Sequence, residues 1–186
     1  MEAPAGIDPR SGALLALLAL LTACGGSSGV PADPISARGT LPVTSPAFAD
    51  GAMIPVRSTC DGEDTSPSLA WSVPVSVAEW AITMEDLDAG FVHWVAYGIP
   101  GQTSGLLEGR LPPGSRQGRN DFGDIGYGGP CPPREDGPHR YRFTVYALAK
   151  ARAANMPAEA TLDMLLAAIG CCVQVFGTLT GTYDRT

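Results

Sequence analysis

The sequence predicts a mainly β protein, an antiparallel β-sandwich with one or two short helices and long loops. The 186 residues include 23 glycines and 17 prolines, and both residue types destabilise helix interiors. Several segments alternate apolar and polar residues with a period of two, which is typical of half-buried strands. Helical periodicity is confined to one short segment near the carboxyl end. Strands followed by a single late helix are typical of a β-sandwich.

The amino-terminal residues 1–23 are predicted to be a lipoprotein signal peptide. The apolar segment Ala13–Cys24 is too short to span a bilayer as a mature helix. Its last four residues, "LTAC", resemble a bacterial lipobox, in which the cysteine, here Cys24, becomes acylated and anchors the protein to a membrane. The alternative is an ordinary cleaved signal peptide with a chance cysteine. Either reading predicts export to the bacterial cell envelope, in the periplasm or on the outer surface.

A tether and a single domain follow the signal peptide. Residues 24–40 are poor in apolar side chains and are predicted to be flexible. The predicted domain comprises residues 41–186, a usual length for one folded unit. Its partners are not expected to include nucleic acid, because the chain has a net charge of −7 and Lys150 is its single lysine.

Four strands are predicted within the domain. They are Val77–Gly90, Phe91–Pro100, His139–Ala149 and Cys172–Asp184. In the first of them Trp80, Ile82 and Met84 alternate onto one face, which we expect to be buried. The second is almost continuously apolar, which favours a central position in a sheet. The three tryptophans, Trp71, Trp80 and Trp94, are predicted to lie in the core.

One helix is predicted between the last two strands. Thr161 has the side chain of a helix N-cap, and Gly170 marks the carboxyl end. The residues between them that share one helical face are Leu162, Leu165, Leu166 and Ile169.

Four titratable residues lie near predicted strand ends. Asp86 and Asp88 are two residues apart, so the strand period predicts that they face the same side. Two like charges would raise the pKa of one carboxyl unless a cation neutralised them. His93 lies in the next strand, and His139 begins another. Because a short connection makes consecutive strands neighbours, we expect His93 to lie near the two carboxylates, and all four groups lie near strand ends where loops converge.

The cysteines leave several pairings open. If Cys24 carries lipid, four cysteines remain, and four allow three full pairings. The pairing Cys60–Cys131 is favoured, since each residue lies in a glycine-rich loop. A bond between the neighbours Cys171 and Cys172 would be strained. Zinc binding is the competing interpretation, but no CxxC or HxxxH spacing supports a metal site.

These motifs resemble the phosphatidylethanolamine-binding protein family, in particular its bacterial branch of Raf kinase inhibitor-like proteins. The similar elements are "DLDA", the "HW" that follows it, and "GYGGPCPP" before "HRYRFTVYAL". The resemblance extends from about Leu41 to Tyr183 and includes "TCDGEDTSPSLAWS" and "GTLTGTY". It implies a β-sandwich with a small anion pocket and no cofactor. It also implies a non-catalytic protein that binds phosphate-like groups or phospholipid head groups, and some members inhibit kinases or proteases.

The resemblance also implies a set of ligand-binding residues. They are Asp86, Asp88, His93, Pro132, Pro133, His139 and Tyr141. The imidazoles and the tyrosine hydroxyl would donate hydrogen bonds to an anion, and Asp86 would orient one histidine and favour its charged form. Glycines near Gly128 would let backbone N–H groups approach the ligand. The family's usual Asp-Pro-Asp-Ala-Pro element lacks both prolines here, which predicts a looser loop.

Two other functions remain open at this point. A hydrolase could use Asp86, Asp88, His93 and His139 as acid and base. The sequence contains no Gly-x-Ser-x-Gly element and no phosphate-binding Walker loop. A structural envelope protein with a vestigial pocket is the third possibility, and the partner protein of an inhibitor is not identified by any motif.

Overall fold

The computed structural model describes residues 40–72 and 76–185. The predicted signal peptide 1–23, Cys24 and the tether as far as residue 39 lie outside the described residues. Thr40, which was assigned to the tether, forms a β-bridge with Phe176. No helix within residues 40–72 and 76–185 is long and apolar enough to cross a bilayer.

Two antiparallel sheets form the architecture. The strands of the small sheet are β1 (Val43–Thr44), β2 (Leu69–Trp71) and β5 (Gly105–Leu106), in the order β1-β2-β5. The strands of the large sheet are β3 (Glu79–Asp86), β4 (Phe91–Pro100), β6 (Arg116–Gln117), β7 (His139–Leu148) and β8 (Val173–Tyr183). Their order is β6-β4-β3-β7-β8. One helix, α1 (Leu162–Ile169), and two single 3-10 turns, Val56–Ser58 and Ala153–Asn155, complete the described elements.

The four long predicted strands and the mainly β class are confirmed, and β4 has the central position that was predicted, since it lies between β6 and β3. The middle strand of the large sheet is β3, and the outer edge of β4 pairs with β6 only at Ala96 and Tyr97. The loop that follows β6 satisfies other backbone groups of that edge, since the Gly118 amide donates to the Val95 carbonyl. The continuous apolar pattern of β4 therefore reflects a strand that has neighbours along both edges and is covered on both faces.

The main core fills the space on one face of the large sheet. Trp80, Ile82 and Met84 all point into it, together with Trp71 and Trp94. The alternation predicted for β3 is therefore confirmed. This core includes side chains of the small sheet, such as Leu69 and Leu106 in addition to Trp71, so the two sheets share it.

Helix α1 covers the opposite face of the large sheet. Leu165 and Ile169 are buried there in a second cluster with Ala81 and Val95. The predicted helix start is confirmed, because Thr161 Oγ1 accepts a hydrogen bond from the Met164 amide at 3.4 Å.

Candidate functional site

Strand register gathers the predicted site residues at one end of the large sheet. Asp86 at the end of β3 lies opposite Tyr141 of β7 and opposite Phe91 at the start of β4. His93 and His139 are each two residues from one of these positions. Side chains two apart in a strand point to the same face, so both imidazoles lie on the face that carries Asp86 and Tyr141.

The two histidine rings flank the Tyr141 ring. The His93 ring lies edge-on to it at a centroid distance of 5.2 Å, and the His139 ring is stacked at 6.4 Å. All three side chains are buried, with exposed fractions of 3% for His93, 8% for His139 and 0% for Tyr141. The Tyr141 hydroxyl makes no hydrogen bond of good geometry within residues 40–72 and 76–185, although the Asp86 carboxylate and the Cys131 backbone lie close enough to influence its pKa. Burial and the negative charge of Asp86 raise the pKa of Tyr141, so its hydroxyl remains a proton donor at neutral pH.

Asp86 holds His139 in a fixed orientation. The His139 Nδ1 lies 2.7 Å from Asp86 Oδ2, and since an ionised carboxylate can only accept, Nδ1 carries the proton. The other oxygen of Asp86 accepts from the amides of Asp88 at 2.9 Å and Ala89 at 3.1 Å. The His139 Nε2 is therefore the ring nitrogen left for other contacts, and it lies 3.8 Å from Asp136 Oδ2.

His93 is held by a backbone carbonyl. Its Nδ1 lies 2.7 Å from the Gly128 carbonyl oxygen, which can only accept, so Nδ1 again carries the proton. Burial lowers the pKa of His93 below its ordinary value of 6.5. The ring is consequently neutral at pH 7, and its Nε2 carries a lone pair.

The prediction that Asp86 and Asp88 face the same side is wrong. Strand β3 ends at Asp86, and the chain turns over the next four residues, so the period of two does not continue. Asp88 is exposed, and its carboxylate accepts from the Arg140 amide at 2.7 Å and pairs with the Arg140 guanidinium at 2.8 Å. Hydrogen bonding to Arg140 lowers the pKa of Asp88 to about 2. The cation that the sequence argument required is thus Arg140.

Gly128 and Gly129, in the loop that precedes β7, do not present free amides to the site. The Gly128 amide donates to the His93 carbonyl at 3.0 Å, and the Gly129 amide donates to Asp64 Oδ1 at 2.5 Å. A side chain at Gly129 would bring its Cβ within 2.5 Å of the Ser58 carbonyl oxygen. These glycines therefore permit close packing of two loops and not the approach of an anion to the backbone.

A disulfide joins the same two loops. Cys60 and Cys131 are bonded in the structure, as the sequence favoured, and they are separated by 71 residues. Pro132 next to the bond is buried and Pro133 is exposed. The covalent link fixes the loop that carries Gly128, and through its carbonyl the orientation of His93.

Sequence reasoning missed the aromatic cover over His93. The Phe122 ring packs edge-on against His93 at 5.2 Å and against Phe91 at 4.7 Å, yet it is about half exposed. Asn120 shapes its loop, since its side chain donates to the Gly126 carbonyl and accepts from the Asp124 amide. The sequence feature that could have indicated this contact is an aromatic residue, Phe122, within the polar run "NDFGD". An adjoining cavity of about 220 Å³ has in its lining Asn120, Phe122, Gly128 and Cys131.

Comparison with known proteins decides the family. The sequence model of the family described as phosphatidylethanolamine-binding protein matches residues 44–184. The chain belongs to this family. Its solved members include YbcL of Escherichia coli, with a TM-score of 0.72 and 30% identity over 80% of this chain and all of that chain. The homologue CT736 of Chlamydia trachomatis has a TM-score of 0.71 and 33% identity over 79% of this chain and 99% of that chain.

A relative in Mycobacterium tuberculosis matches almost the whole chain. It bears the name "Putative lipoprotein LppC" and is 37% identical, over 95% of this chain and 96% of its own length. The chain therefore belongs to the bacterial members of the family, and the mainly β sandwich is the family fold. Within the described part of the chain, no group of three or more His, Cys, Asp or Glu side chains is arranged to hold a metal ion.

Proposed function

We propose that this protein is a non-catalytic binding protein for small ligands that carry a phosphate-like group, at the cluster of Asp86, His93, His139 and Tyr141. The observation that carries the proposal is the buried Tyr141 hydroxyl, which makes no hydrogen bond of good geometry in the described part of the chain and is flanked by both imidazoles. A buried donor without a partner costs about 1–3 kcal/mol. A ligand oxygen that accepts from it would recover this free energy on binding.

The protonation states favour a particular form of ligand. A doubly protonated His139 would donate from Nε2 to an anionic oxygen while its Nδ1 donates to Asp86. Neutral His93 can only accept at Nε2. A phosphate monoester with one protonated oxygen satisfies both rings, because it offers acceptors to Tyr141 and His139 and a donor to His93. An ionised carboxylate offers acceptors alone and should bind more weakly.

The remaining predicted residues have supporting parts in this proposal. Asp88 holds Arg140 at the edge of the cluster and lies too far out on the surface to share the buried face. Pro132 and Pro133 limit the conformations of the loop that follows Cys131, which reduces the entropy lost when a ligand binds.

The location proposed for this binding site is a bacterial membrane surface, through acylated Cys24. The name of the mycobacterial relative supports a lipid anchor. A site held there would meet phospholipid head groups or the phosphate groups of a neighbouring protein. A partner enzyme that binds to the cluster through such a group would be inhibited if this protein then covered the active site of the enzyme.

The hydrolase alternative has less support. The acid and base pair of a glycosidase needs two carboxyl groups that face the substrate. Asp86 already accepts from His139 and from two amides, and Asp88 accepts from Arg140 on the outer side.

Calorimetric titration with inorganic phosphate and with phosphoethanolamine tests the proposal. We expect binding that weakens about 10-fold or more in Tyr141→Phe, with no turnover of generic phosphoester or glycoside substrates. The absence of binding to both ligands would contradict the binding proposal. Hydrolysis that is lost in His139→Ala would favour the enzyme instead.

A further inference from the structure

The adjacent residues Cys171 and Cys172 place two sulfur atoms together at the surface. Their Sγ atoms lie 2.8 Å apart, and neither residue takes part in a disulfide. Cys171 is exposed and Cys172 is buried. Between the end of α1 and the start of β8, one thiol is therefore open to reagents and the other lies directly behind it.

A single guanidinium contacts both sulfur atoms. Arg152 donates from Nη2 to Cys172 Sγ at 2.7 Å and to Cys171 Sγ at 3.0 Å, and from Nε to Cys172 Sγ at 3.2 Å. A positive charge in this position stabilises a thiolate over a thiol. The contact with Cys172 and the Arg152 charge lower the pKa of Cys171.

The surrounding backbone fixes this arrangement. The amides of Arg152 and Ala153 donate to the carboxylate of buried Glu79 at 2.9 Å and 3.1 Å, which sets the position of the arginine. The Cys172 amide donates to the Ile169 carbonyl at 2.7 Å, and the Cys172 carbonyl accepts from the Ala149 amide at 2.8 Å. The two sulfur atoms and the guanidinium are therefore held by different elements that meet at one point.

This cluster is distinct from the candidate ligand site. Glu79 begins β3 and Asp86 ends it, and strands rise about 3.3 Å per residue, so the Cα atoms of these two residues are roughly 23 Å apart. Arg152 is the charged group that contacts the described thiol pair directly. Glu79 is linked to the pair indirectly, because it accepts from the Arg152 amide.

We propose that Cys171 and Cys172 form a thiol–disulfide exchange site that reacts with disulfide substrates. The Cys171 thiol loses its proton to solvent, and its thiolate attacks one sulfur of a disulfide RSSR. The disulfide bond breaks, a first RS⁻ leaves and takes up a proton, and a mixed disulfide remains on Cys171.

Cys172 then resolves the mixed disulfide. Its thiolate attacks the Cys171 sulfur, the bond to the second R group breaks, and a second RSH is released after protonation. Two protein thiols are thereby oxidised to one Cys171–Cys172 disulfide, and RSSR is reduced to two RSH. A disulfide between adjacent residues is strained and readily reduced, so an external dithiol reverses the reaction.

Reaction of the full chain with oxidised glutathione, followed by mapping under non-reducing conditions, tests the proposal. One tryptic peptide, Ala153–Arg185, contains both cysteines. In the wild type, the mass of this peptide should be lower than that of the reduced peptide by two hydrogen atoms, and the peptide should carry no glutathione. In Cys172→Ser it should keep one glutathione on Cys171, because the resolving thiol is missing. Retention of glutathione by the wild type, or no reaction at all, would overturn the proposal.

Arg152 is expected to act as a positioning residue, and its effect has a separate readout. In Arg152→Gln the pH midpoint for alkylation of Cys171 by iodoacetamide should rise, and the rate at neutral pH should fall about 10-fold for each pKa unit gained. Arg152→Lys should restore part of the rate. Lys150→Gln is the control. Lys150 is a nearby exposed charge that contacts neither sulfur atom in the described structure, so this variant should leave the alkylation midpoint unchanged.

Thermal unfolding of each variant separates these effects from a loss of fold. An Arg152→Gln protein that is folded and has an unchanged alkylation midpoint would show that the guanidinium does not activate Cys171.

Discussion

Replacement of Tyr141 by phenylalanine should change ligand affinity and stability in opposite directions. The hydroxyl is buried and makes no hydrogen bond of good geometry among the residues that the structure describes, while the ring packs between two imidazoles at 5.2 Å and 6.4 Å. Tyr141→Phe keeps the ring and removes only the hydroxyl. A buried polar group without a partner costs about 1–3 kcal/mol. Removal of the hydroxyl removes this cost, and the small gap that it leaves offsets part of the gain. We therefore expect the free energy of unfolding to rise by about 1 kcal/mol, which for a domain of this size raises Tm by about 3 °C.

The same change should weaken binding of phosphate. A hydrogen bond to a charged group contributes about 1.5–3 kcal/mol, so Kd should rise by about 10- to 100-fold. Calorimetric titration with phosphate gives the affinity, and scanning calorimetry without ligand gives the stability. Tyr146→Phe is the matched control, since Tyr146 lies on the same strand but packs in the cluster on the opposite face. It should leave phosphate affinity unchanged. A less stable Tyr141→Phe protein with unchanged affinity would refute the reasoning, because the hydroxyl would then serve the fold and not a ligand.

Three further predictions follow from the same geometry. Burial lowers the pKa of His93 below 6.5, so the contribution of His93 to the free energy of unfolding should be constant above that pH. Below it the unfolded chain binds a proton that the folded chain does not, and stability should fall by up to about 1.4 kcal/mol per pH unit. Urea unfolding at several pH values should show this slope in the wild type and lose it in His93→Gln, and an equal slope in both would contradict the assignment. In Arg140→Gln the pKa of Asp88, followed by carboxyl NMR, should rise from about 2 towards 3.8, whereas an unchanged value would mean that Arg140 is not its cause. Conversion of Cys60 and Cys131 together to serine opens a link across 71 residues and should cost about 4 kcal/mol in urea unfolding; a cost near zero would count against the bond.

Local sequence patterns were sufficient to predict the long strands and the helix. The alternation of β3 identified the face that carries Trp80, and the capping residues Thr161 and Gly170 identified the helix. Both patterns act within a few residues of the chain, where side-chain direction follows directly from backbone geometry. The resemblance of the motifs to a known family added the expectation that His93 and His139 meet, and both rings do contact Tyr141.

Contacts between distant parts of the chain could not be predicted in this way. The pairing of Asp88 with Arg140 depends on a turn that ends the strand period at Asp86. The contact of Arg152 with Cys172 spans 20 residues and depends on how β7 and β8 are joined. In both cases the partner is chosen by the tertiary fold, and neither residue's immediate sequence indicates it.

The central claim is that two imidazoles and a tyrosine hydroxyl hold one anionic ligand. A crystal structure of the full chain with bound phosphate or phosphoethanolamine tests it most directly. We expect a phosphate oxygen within hydrogen-bonding distance of both the Tyr141 hydroxyl and His139 Nε2. Phosphate bound at another surface, with the Tyr141 hydroxyl still without a ligand contact, would contradict the account.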